Sequence, residues 1–316
     1  TYHFNTDKAF NETATVKPQF DGITYSFVYG DALFMAYSHQ DFWRGSYSYA
    51  NGTSTYLSND VANWFRDQVE KYPDTKWRIA AVHKNLFTGS GHQTDEDGAL
   101  FRATLLPVFQ ELNIDFVIQG HDHIYEVMGP INNTTKTIVP GSVTNVELVS
   151  PDSNKNPKGQ QGGTFNVKDG TLYFVNGTCG RKRYYPYTQD EMEAGFDKHK
   201  VEGYWDLFTG KYGQPGAPAF SEISVSSSEI EVKTYTSDAN AQATLFDTFK
   251  IVKNGNTGIE ENKQSAKLYP TYAKDKINTT ESDIIRVNAI DLTGKIYPLP
   301  FDNQHIDVSN LTDGIY

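Results

Sequence analysis

The chain has 316 residues, of which 38% are hydrophobic, 14% aromatic and 21% charged. This composition is typical of a globular protein and excludes a disordered chain. Lys and Arg total 28 against 39 Asp and Glu, so the formal net charge of −11 argues against non-specific binding to nucleic acid or to an anionic membrane. The apolar runs are far shorter than the roughly 20 residues of a membrane span. The single cysteine, Cys179, excludes an intrachain disulfide and a cysteine-based metal cluster.

The first predicted elements are a β-hairpin and a helix. Residues 24–29 and 32–37 are short apolar runs, and the Gly-Asp pair between them is a two-residue turn signal. From Leu57 the apolar residues recur with the period of an α-helix, and Pro73 is expected to end it.

Two short buried strands are predicted on either side of a second helix. The strands are residues 78–82 and 114–118, and the helix covers about residues 100–112. Pro107 lies inside the helical pattern and is expected either to kink the helix or to mark its true start. The alternation of strands and helices predicts an α/β layered fold.

Histidines follow the carboxyl ends of both strands, which is where ligands gather in such folds. The first strand runs into His83 and the second into Gly120-His121-Asp122-His123. Gly120 allows a sharp bend, so His121 and His123 can converge on one or two ions, and His83 can reach the same place. Imidazole suits zinc, iron, manganese or nickel rather than calcium or magnesium. Ordinary loop histidines are the alternative, and the clustering favours metal binding.

The rest of the chain is predicted to be rich in strands. Short apolar runs alternate with loops that contain Gly and Pro, namely at residues 137–139, 172–175, 221–235 and 248–252. Residues 254–258 are predicted to be a linker, which divides the chain into a domain over residues 1–253 and a separate all-β module over residues 259–316.

The histidine segments match motifs of a known family. Residues 120–123 match a Gly-His-x-His motif, and residues 80–83 match a Val-x-x-His motif. By these motifs the chain resembles the calcineurin-like metallophosphoesterases and, among them, the purple acid phosphatase-like branch. The likeness covers about residues 20–250. Weaker matches lie in residues 25–34, 84–92 and 174–180. The resemblance implies an α/β fold, a layered metallophosphoesterase-type β-sandwich flanked by helices, followed here by the small all-β module.

The resemblance also implies roles for individual residues. His83 and His121 would bind one transition-metal ion and His123 a second, each being zinc, iron or manganese. His92 would be catalytic, binding the phosphate or protonating the leaving alkoxide, or else be a loop histidine in solvent. Asp122 would point away from the ions. The implied reaction is the hydrolysis of phosphate esters, monoesters first, by in-line attack of metal-bound hydroxide.

Three earlier motifs of the family are not found in this sequence: an Asp near the first strand, a Gly-Asp-x-x-Tyr/Asp that supplies a bridging carboxylate, and a Gly-Asn-His. The resemblance places them ahead of residues 1–25, so we expect a fragment of a larger protein, with its first strands missing. The alternatives are that a second polypeptide supplies these ligands, or that the chain is inactive. Three neutral histidines alone should bind metal weakly or singly.

Other functions stay open at this stage. One alternative is a non-catalytic surface or binding protein on a phosphoesterase scaffold, and another is a phosphodiesterase or nucleotide hydrolase with the same metal site. The acidic residues 95–97 would favour small monoesters if they face the pocket, although a solvated helix start is the commoner role. Residues 181–185 carry a basic turn that could touch phosphate, and we expect it to be solvated.

The C-terminal module resembles the secretion-sorting domain of exported Bacteroidota proteins. The similar segments are residues 267–270, 273–277, 291–296 and 306–316. The resemblance implies contact with an export machinery and a secreted or cell-surface location outside a bacterium; a generic β-sandwich adhesion module is the alternative. The partners expected for the whole chain are a small phosphorylated substrate and this machinery, without nucleic acid and without a membrane span.

Overall fold

The computed structural model describes residues 24–37, 55–93, 95–194, 203–253, 268–269, 274–279, 287–290, 296–302 and 305–312. The chain divides into two compact units, Thr1–Asn256 and Thr257–Tyr316. In the described part of the chain, none of the helices combines the length and the apolar character needed to cross a bilayer.

The first unit is built on an eight-stranded sheet. Its strands are β1 (Tyr25–Tyr29), β2 (Ala32–Tyr37), β3 (Trp77–Val82), β4 (Phe116–Gln119), β5 (Tyr125–Asn132), β6 (Thr137–Ile138), β9 (Thr171–Asn176) and β10 (Tyr212–Gly213). The order is β1-β2-β3-β4-β9-β5-β10, and β6 pairs with β5. Strands β2, β3, β4 and β9 run parallel, whereas β1 and β2 form an antiparallel hairpin. The predicted hairpin and both predicted strands are confirmed.

Within the residues that the structure describes, four helices lie between the strands, and the first two connect the parallel pairs β2–β3 and β3–β4. They are α1 (Thr55–Lys71), α2 (Glu96–Glu111), α3 (Gln189–Ala194) and a 3₁₀ helix (Tyr204–Leu207). Arg66 of α1 donates to Glu111 of α2 from its Nε, at 2.7 Å from Oε1. Helix α2 begins at Glu96, well before Pro107, so the prediction that Pro107 could mark its start is wrong. The polar first turn of α2 has no apolar periodicity, so the apolar pattern predicts a start near residue 100 instead of at Glu96.

A five-stranded sheet completes the first unit. Its strands are β7 (Val143–Leu148), β8 (Gln160–Asn166), β11 (Ala219–Val225), β12 (Glu229–Ser237) and β13 (Ala243–Val252), in the order β11-β12-β13-β8-β7. Buried and partly exposed residues alternate along β12, which is the pattern of a strand with one face on a core.

Two hydrophobic layers hold the unit together. One lies between the large sheet and the helices and contains Phe65 and Phe109, whose rings meet edge to face 5.2 Å apart. The other lies between the two sheets and contains Trp77 and Phe249. The Trp77 indole also donates to the Ser226 carbonyl across this layer at 2.7 Å. The predicted α/β layered sandwich flanked by helices is thus the observed fold.

The second unit is all-β in its described residues. Strands β14 (Leu268–Tyr269), β15 (Lys276–Thr279) and β18 (His305–Asp307) form one sheet, and β16 (Val287–Ile290) pairs with β17 (Ile296–Leu299). The predicted linker at residues 254–258 lies outside the described residues, as do residues 1–23 and 12 of the 26 residues in the predicted sorting segments.

Candidate metal centre

Two parallel strands bring His83 and His121 together. Strands β3 and β4 pair in register, so their carboxyl ends meet at one edge of the sheet. The Gly120 amide donates to the His83 carbonyl at 2.9 Å, and a Cβ at Gly120 would lie 3.2 Å from His83 Nδ1. Glycine therefore permits the close approach that leaves His121 Nδ1 3.3 Å from His83 Nε2.

His121 has an unusual backbone and an unpartnered ring nitrogen. Its φ of 66° lies in the left-handed region, which residues other than glycine rarely adopt and which concentrates at functional sites. Its Nε2 is buried without a hydrogen-bond partner. Burial, followed by the charges of His92 and Lys84, lowers the pKa of His121 to about 4. Burial and Lys84 also lower the pKa of His83. Both rings are therefore neutral at pH 7, which is the form that binds metal.

His92 packs on the other side of His121. The two ring centroids are 4.0 Å apart. His92 Nδ1 lies 2.8 Å from Asp95 Oδ2, and its Nε2 lies 3.4 Å from the Tyr184 hydroxyl. Ligand atoms of His92, Asp95 and His121 all lie within 4.8 Å of one another, so these three residues could hold a metal ion.

Asp95 is the N-cap residue of α2 but does not cap the helix. Its backbone is extended, with φ −63° and ψ 136°, and its side chain makes no capping hydrogen bond. The carboxylate is turned to His92 instead, which brings a negative charge to the histidine cluster. Of the two positions that the sequence left open for Asp95, facing the pocket or lying in a solvated helix start, the structure shows the side chain against the histidine cluster.

His123 is held by the backbone of a loop that follows β9. Its Nδ1 lies 2.7 Å from the Lys182 carbonyl, an acceptor, so Nδ1 carries the proton and Nε2 keeps its lone pair. A backbone carbonyl on the second ring nitrogen is the usual arrangement of a metal-binding histidine. The Tyr184 ring lies between the rings of His123 and His92, with centroid distances of 5.1 and 5.4 Å.

Two buried carboxyl groups lie beneath the histidines. Asp122 and Glu126 are both fully buried, and the Thr88 hydroxyl contacts Asp122 Oδ2 and lies 2.9 Å from Glu126 Oε1. The Gly89 amide donates to Glu126 Oε2 at 2.7 Å. Burial raises the pKa of both carboxyl groups, and the charge of Asp122 raises that of Glu126 further. These bonds join the Gly-His-Asp-His segment to the loop that leads to His92.

The loop after His83 is fixed by buried side chains. The Gln119 amide accepts from the Leu86 N–H at 2.6 Å and donates to the Phe87 carbonyl at 3.2 Å. The buried Tyr204 hydroxyl accepts from the Thr88 N–H at 2.7 Å and donates to the Thr88 carbonyl at 3.0 Å. The position of His92 therefore depends on contacts from β4 and from the distant 3₁₀ helix.

The donor set suits the transition metals that the sequence predicted. Neutral imidazoles with one carboxylate favour zinc, iron or manganese over calcium or magnesium. At the centre of the cluster, Nε2 of His121 is buried and has no hydrogen-bond partner.

Part of the first unit is similar to a known protein family. Residues 2–125 match the family described as calcineurin-like phosphoesterase. Over this segment, 124 of the 316 residues, the chain is similar to calcineurin-like phosphoesterases. The match ends just after the Gly-His-Asp-His segment, so it includes His83, His92, His121 and His123.

The curated relatives that the chain matches are considerably longer than the chain itself. Uncharacterized protein Rv2577 of Mycobacterium tuberculosis is 27% identical over 134 residues, which are 39% of this chain and 24% of the relative. Purple acid phosphatase 5 of Arabidopsis thaliana is 26% identical over 176 residues, which are 55% of this chain and 34% of the relative. The chain thus spans a third of these proteins or less.

The similar solved structures are distant from this chain. Purple acid phosphatase PPD1 from yellow lupin (Lupinus luteus) seeds superposes with a TM-score of 0.38 and 14% identity, over 73% of this chain and 33% of that one. GAP50, the anchor in the inner membrane complex of Plasmodium, has a TM-score of 0.37 and 10% identity, over 74% and 54%. The order and pairing of the strands in the two sheets, not these distant structures, define the fold.

Proposed function

We propose that this chain provides the histidine side of a metal-dependent phosphoesterase site. The observation that carries the proposal is the contact of His121 with two other histidines. Its Nδ1 lies 3.3 Å from His83 Nε2, and its ring centroid lies 4.0 Å from that of His92. This cluster lies at the carboxyl edge of a parallel sheet, within the matched phosphoesterase domain.

The proposed metal ligands are the three histidines that the sequence singled out. His83 and His121 would hold one ion, and His123 would hold a second through Nε2. Asp95 is a further candidate ligand because its carboxylate lies in the His92–His121 group. When bound, two such ions would act as Lewis acids on the phosphoryl oxygens and lower the pKa of coordinated water.

His92 is proposed to be the catalytic proton donor. Asp95 accepts its Nδ1 proton and so orients the ring, in the way that a carboxylate orients the histidine of a catalytic pair. The Nε2 of a protonated His92 can then bind the phosphate oxygens or give its proton to the leaving alkoxide. The Tyr184 hydroxyl, 3.4 Å from Nε2, is a second polar group at the same point.

Phosphate monoesters are the proposed substrates. A monoester presents a dianionic end that matches a cluster of metal ions and protonated His92. Diesters and nucleotides are the alternative substrates of the same site, and a non-catalytic scaffold is the alternative without chemistry. Hydrolysis rates for matched monoesters and diesters separate the first two.

Metal content tests the proposed site. On full chain purified without chelators, plasma mass spectrometry should find transition metal, and p-nitrophenyl phosphate should be hydrolysed. His121→Ala should lose both metal and activity. The matched control His305→Ala removes an exposed histidine of the second unit, paired with Asp302 at 3.0 Å, and should keep both. Wild-type protein that neither contains nor takes up zinc, iron or manganese would overturn the proposal.

For the second unit we propose a role in export. Its described strands are compatible with a small all-β module, and the motif resemblance is to secretion-sorting domains. Deleting residues 257–316 should retain the protein inside a bacterial host that has the export machinery, while the full chain reaches the surface or the medium. Export of the truncated chain would contradict this role.

A further inference from the structure

A basic loop borders the histidine cluster. Residues 181–185, Arg-Lys-Arg-Tyr-Tyr, follow β9, and we name them the cationic loop. Strand β9 runs parallel to β4, with Val175 paired to Gln119. Both strands therefore end at the edge of the sheet where the metal centre lies. Three successive positive charges are unusual in a chain whose net charge is −11.

The cationic loop is fixed in place by three hydrogen bonds, and a fourth ties one of their donors, Gln214, to His123. The Lys182 carbonyl accepts from His123 Nδ1 at 2.7 Å. The Gln214 amide donates to the carbonyls of both Tyr184 and His123 at 2.8 Å. The Ser90 hydroxyl donates to the Tyr185 carbonyl at 2.8 Å. The backbone of the loop is thus built into the metal centre through His123 and through the segment that precedes His92.

The cations of the loop lack acidic partners. Within the described residues, no carboxylate lies within 4.0 Å of Arg181, Lys182 or Arg183. Arg183 is half-buried, and its Nε is buried without a hydrogen-bond partner. A buried donor left without an acceptor is costly, so a shift of the side chain that brings this N–H to an anionic ligand would be favoured. A guanidinium fits carboxylate and phosphate oxygens.

We propose that the cationic loop binds a second anionic group of the substrate. The preferred substrates are then phosphate monoesters whose leaving alcohol carries a carboxylate or a further phosphate. The ester phosphate lies at the histidines, and the second anion reaches Arg183 past Tyr184, which the loop holds between His92 and His123. This proposal rests on the proposed function and refines its substrate class.

Binding of two matched phosphonates tests the proposal without turnover. Propylphosphonate and 3-phosphonopropionate have similar size and differ by a methyl group against a carboxylate. By calorimetry on the metal-loaded full chain, 3-phosphonopropionate should bind about tenfold more tightly, since a charge-assisted hydrogen bond is added. Arg183→Gln should reduce this preference to about twofold or less. Lys182 is exposed, and Lys182→Gln should reduce the preference for 3-phosphonopropionate in part. It serves as the second variant if Arg183→Gln folds poorly.

Lys168→Gln is the matched control. Lys168 is an exposed lysine that precedes β9, at the opposite edge of the sheet from the metal centre, and its loss should leave the preference unchanged. The kinetic counterpart is kcat/KM for 3-phosphoglycerate against glycerol 3-phosphate, which are both monoesters of a primary alcohol.

The outcomes distinguish the two proposals. If neither phosphonate binds to metal-loaded protein, the proposed function itself fails. If both bind equally well in the wild type, the phosphate site stands and the cationic loop is a solvated basic turn. If Arg183→Gln weakens both phosphonates to the same extent, Arg183 contacts the ester phosphate, and the second-anion proposal is overturned.

Discussion

The Asp95 carboxylate lies 2.8 Å from His92 Nδ1 and so connects the N-cap residue of helix α2 to the histidine cluster. An aspartate at this position normally caps the helix by accepting from its free N–H groups. Here that cap is given up, because the side chain makes no hydrogen bond to helix α2. The loss of a cap in favour of a histidine contact indicates a functional rather than a stabilising role.

Asp95→Asn tests that role. Asparagine keeps an oxygen for the Nδ1 proton and removes the negative charge, so we expect kcat/KM for p-nitrophenyl phosphate to fall by about 10-fold to 100-fold. If Asp95 only orients His92, metal content measured by mass spectrometry stays unchanged; if it is a ligand, metal is lost as well. The control is Asp74→Asn, an exposed aspartate after α1. Unchanged kcat/KM in Asp95→Asn would rule out both roles.

Gly120→Ala should weaken metal binding without removing a ligand. The added Cβ would lie 3.2 Å from His83 Nδ1 and 3.3 Å from its carbonyl oxygen, so His83 must move by a few tenths of an ångström. We expect the dissociation constant for zinc to rise about tenfold, because ligand geometry is disturbed. Titration against a chromophoric chelator measures this value.

Gly91→Ala is the matched glycine for that experiment. An added Cβ at Gly91, on the loop before His92, meets no atom within 4 Å. Its zinc affinity should therefore equal that of the wild type. Equal affinities in both alanine variants would mean that the close packing at Gly120 has no influence on the metal centre.

The positions of His83 and His121 were predictable because short-range patterns encode them. Two continuous apolar runs predict buried parallel strands, and the residues after such strands meet at one edge of the sheet. The start of α2 and the existence of strand β5 were harder to predict from the sequence. Strand β5 contains a Gly-Pro pair and the buried Glu126, neither of which fits a strand pattern. Glu126 is tolerated only because Thr88 and Gly89 provide its hydrogen bonds.

The contributions of Asp95 and Tyr184 could not be ranked from the sequence. Asp95 has one local signal, its spacing of three residues from His92, which is also common in ordinary helix starts. Tyr184 has no local signal, since only the folded position of the loop after β9 brings it into contact with His92 and His123. Tertiary packing decides both placements, and such packing leaves no periodic trace in the residues themselves.

Glu126→Gln should make stability less dependent on pH. Burial raises the pKa of Glu126 well above 4.5, so the folded state keeps a proton that the unfolded state releases. Because the folded state binds more protons, the free energy of unfolding falls as the pH rises above about 4.5. Glutamine is neutral at every pH and can still accept from the Gly89 amide.

Urea unfolding between about pH 5 and about pH 8 measures this effect. The slope should be smaller in Glu126→Gln than in the wild type, and the variant should be at least as stable at the upper end. Glu126→Ala is the contrasting change, since it leaves the Gly89 N–H and the Thr88 hydroxyl without this partner and should cost about 1–3 kcal/mol. Equal slopes in wild type and Glu126→Gln would show that Glu126 is ionised in the folded protein.

Asp115 provides a second pH test, at the opposite end of β4. Its carboxylate accepts from the Arg78 N–H and lies 2.7 Å from Lys253 Nζ, yet burial outweighs both contacts and raises its pKa to about 6. An acid with a raised pKa is proton-bound in the folded state, so stability is greatest below about pH 4 and declines until about pH 6. Asp115→Asn should remove that decline, which is at most about 3 kcal/mol.

Lys253→Met sharpens the Asp115 experiment because it removes the cation and keeps most of the aliphatic chain. Without Lys253, the pKa of Asp115 should rise above 6 and the decline in stability should extend to higher pH. Asp169→Asn, a change of an exposed aspartate in the turn before β9, should leave the pH profile as in the wild type. If Lys253→Met instead shifts the decline to lower pH, the ion pair is not what holds the pKa of Asp115 near 6.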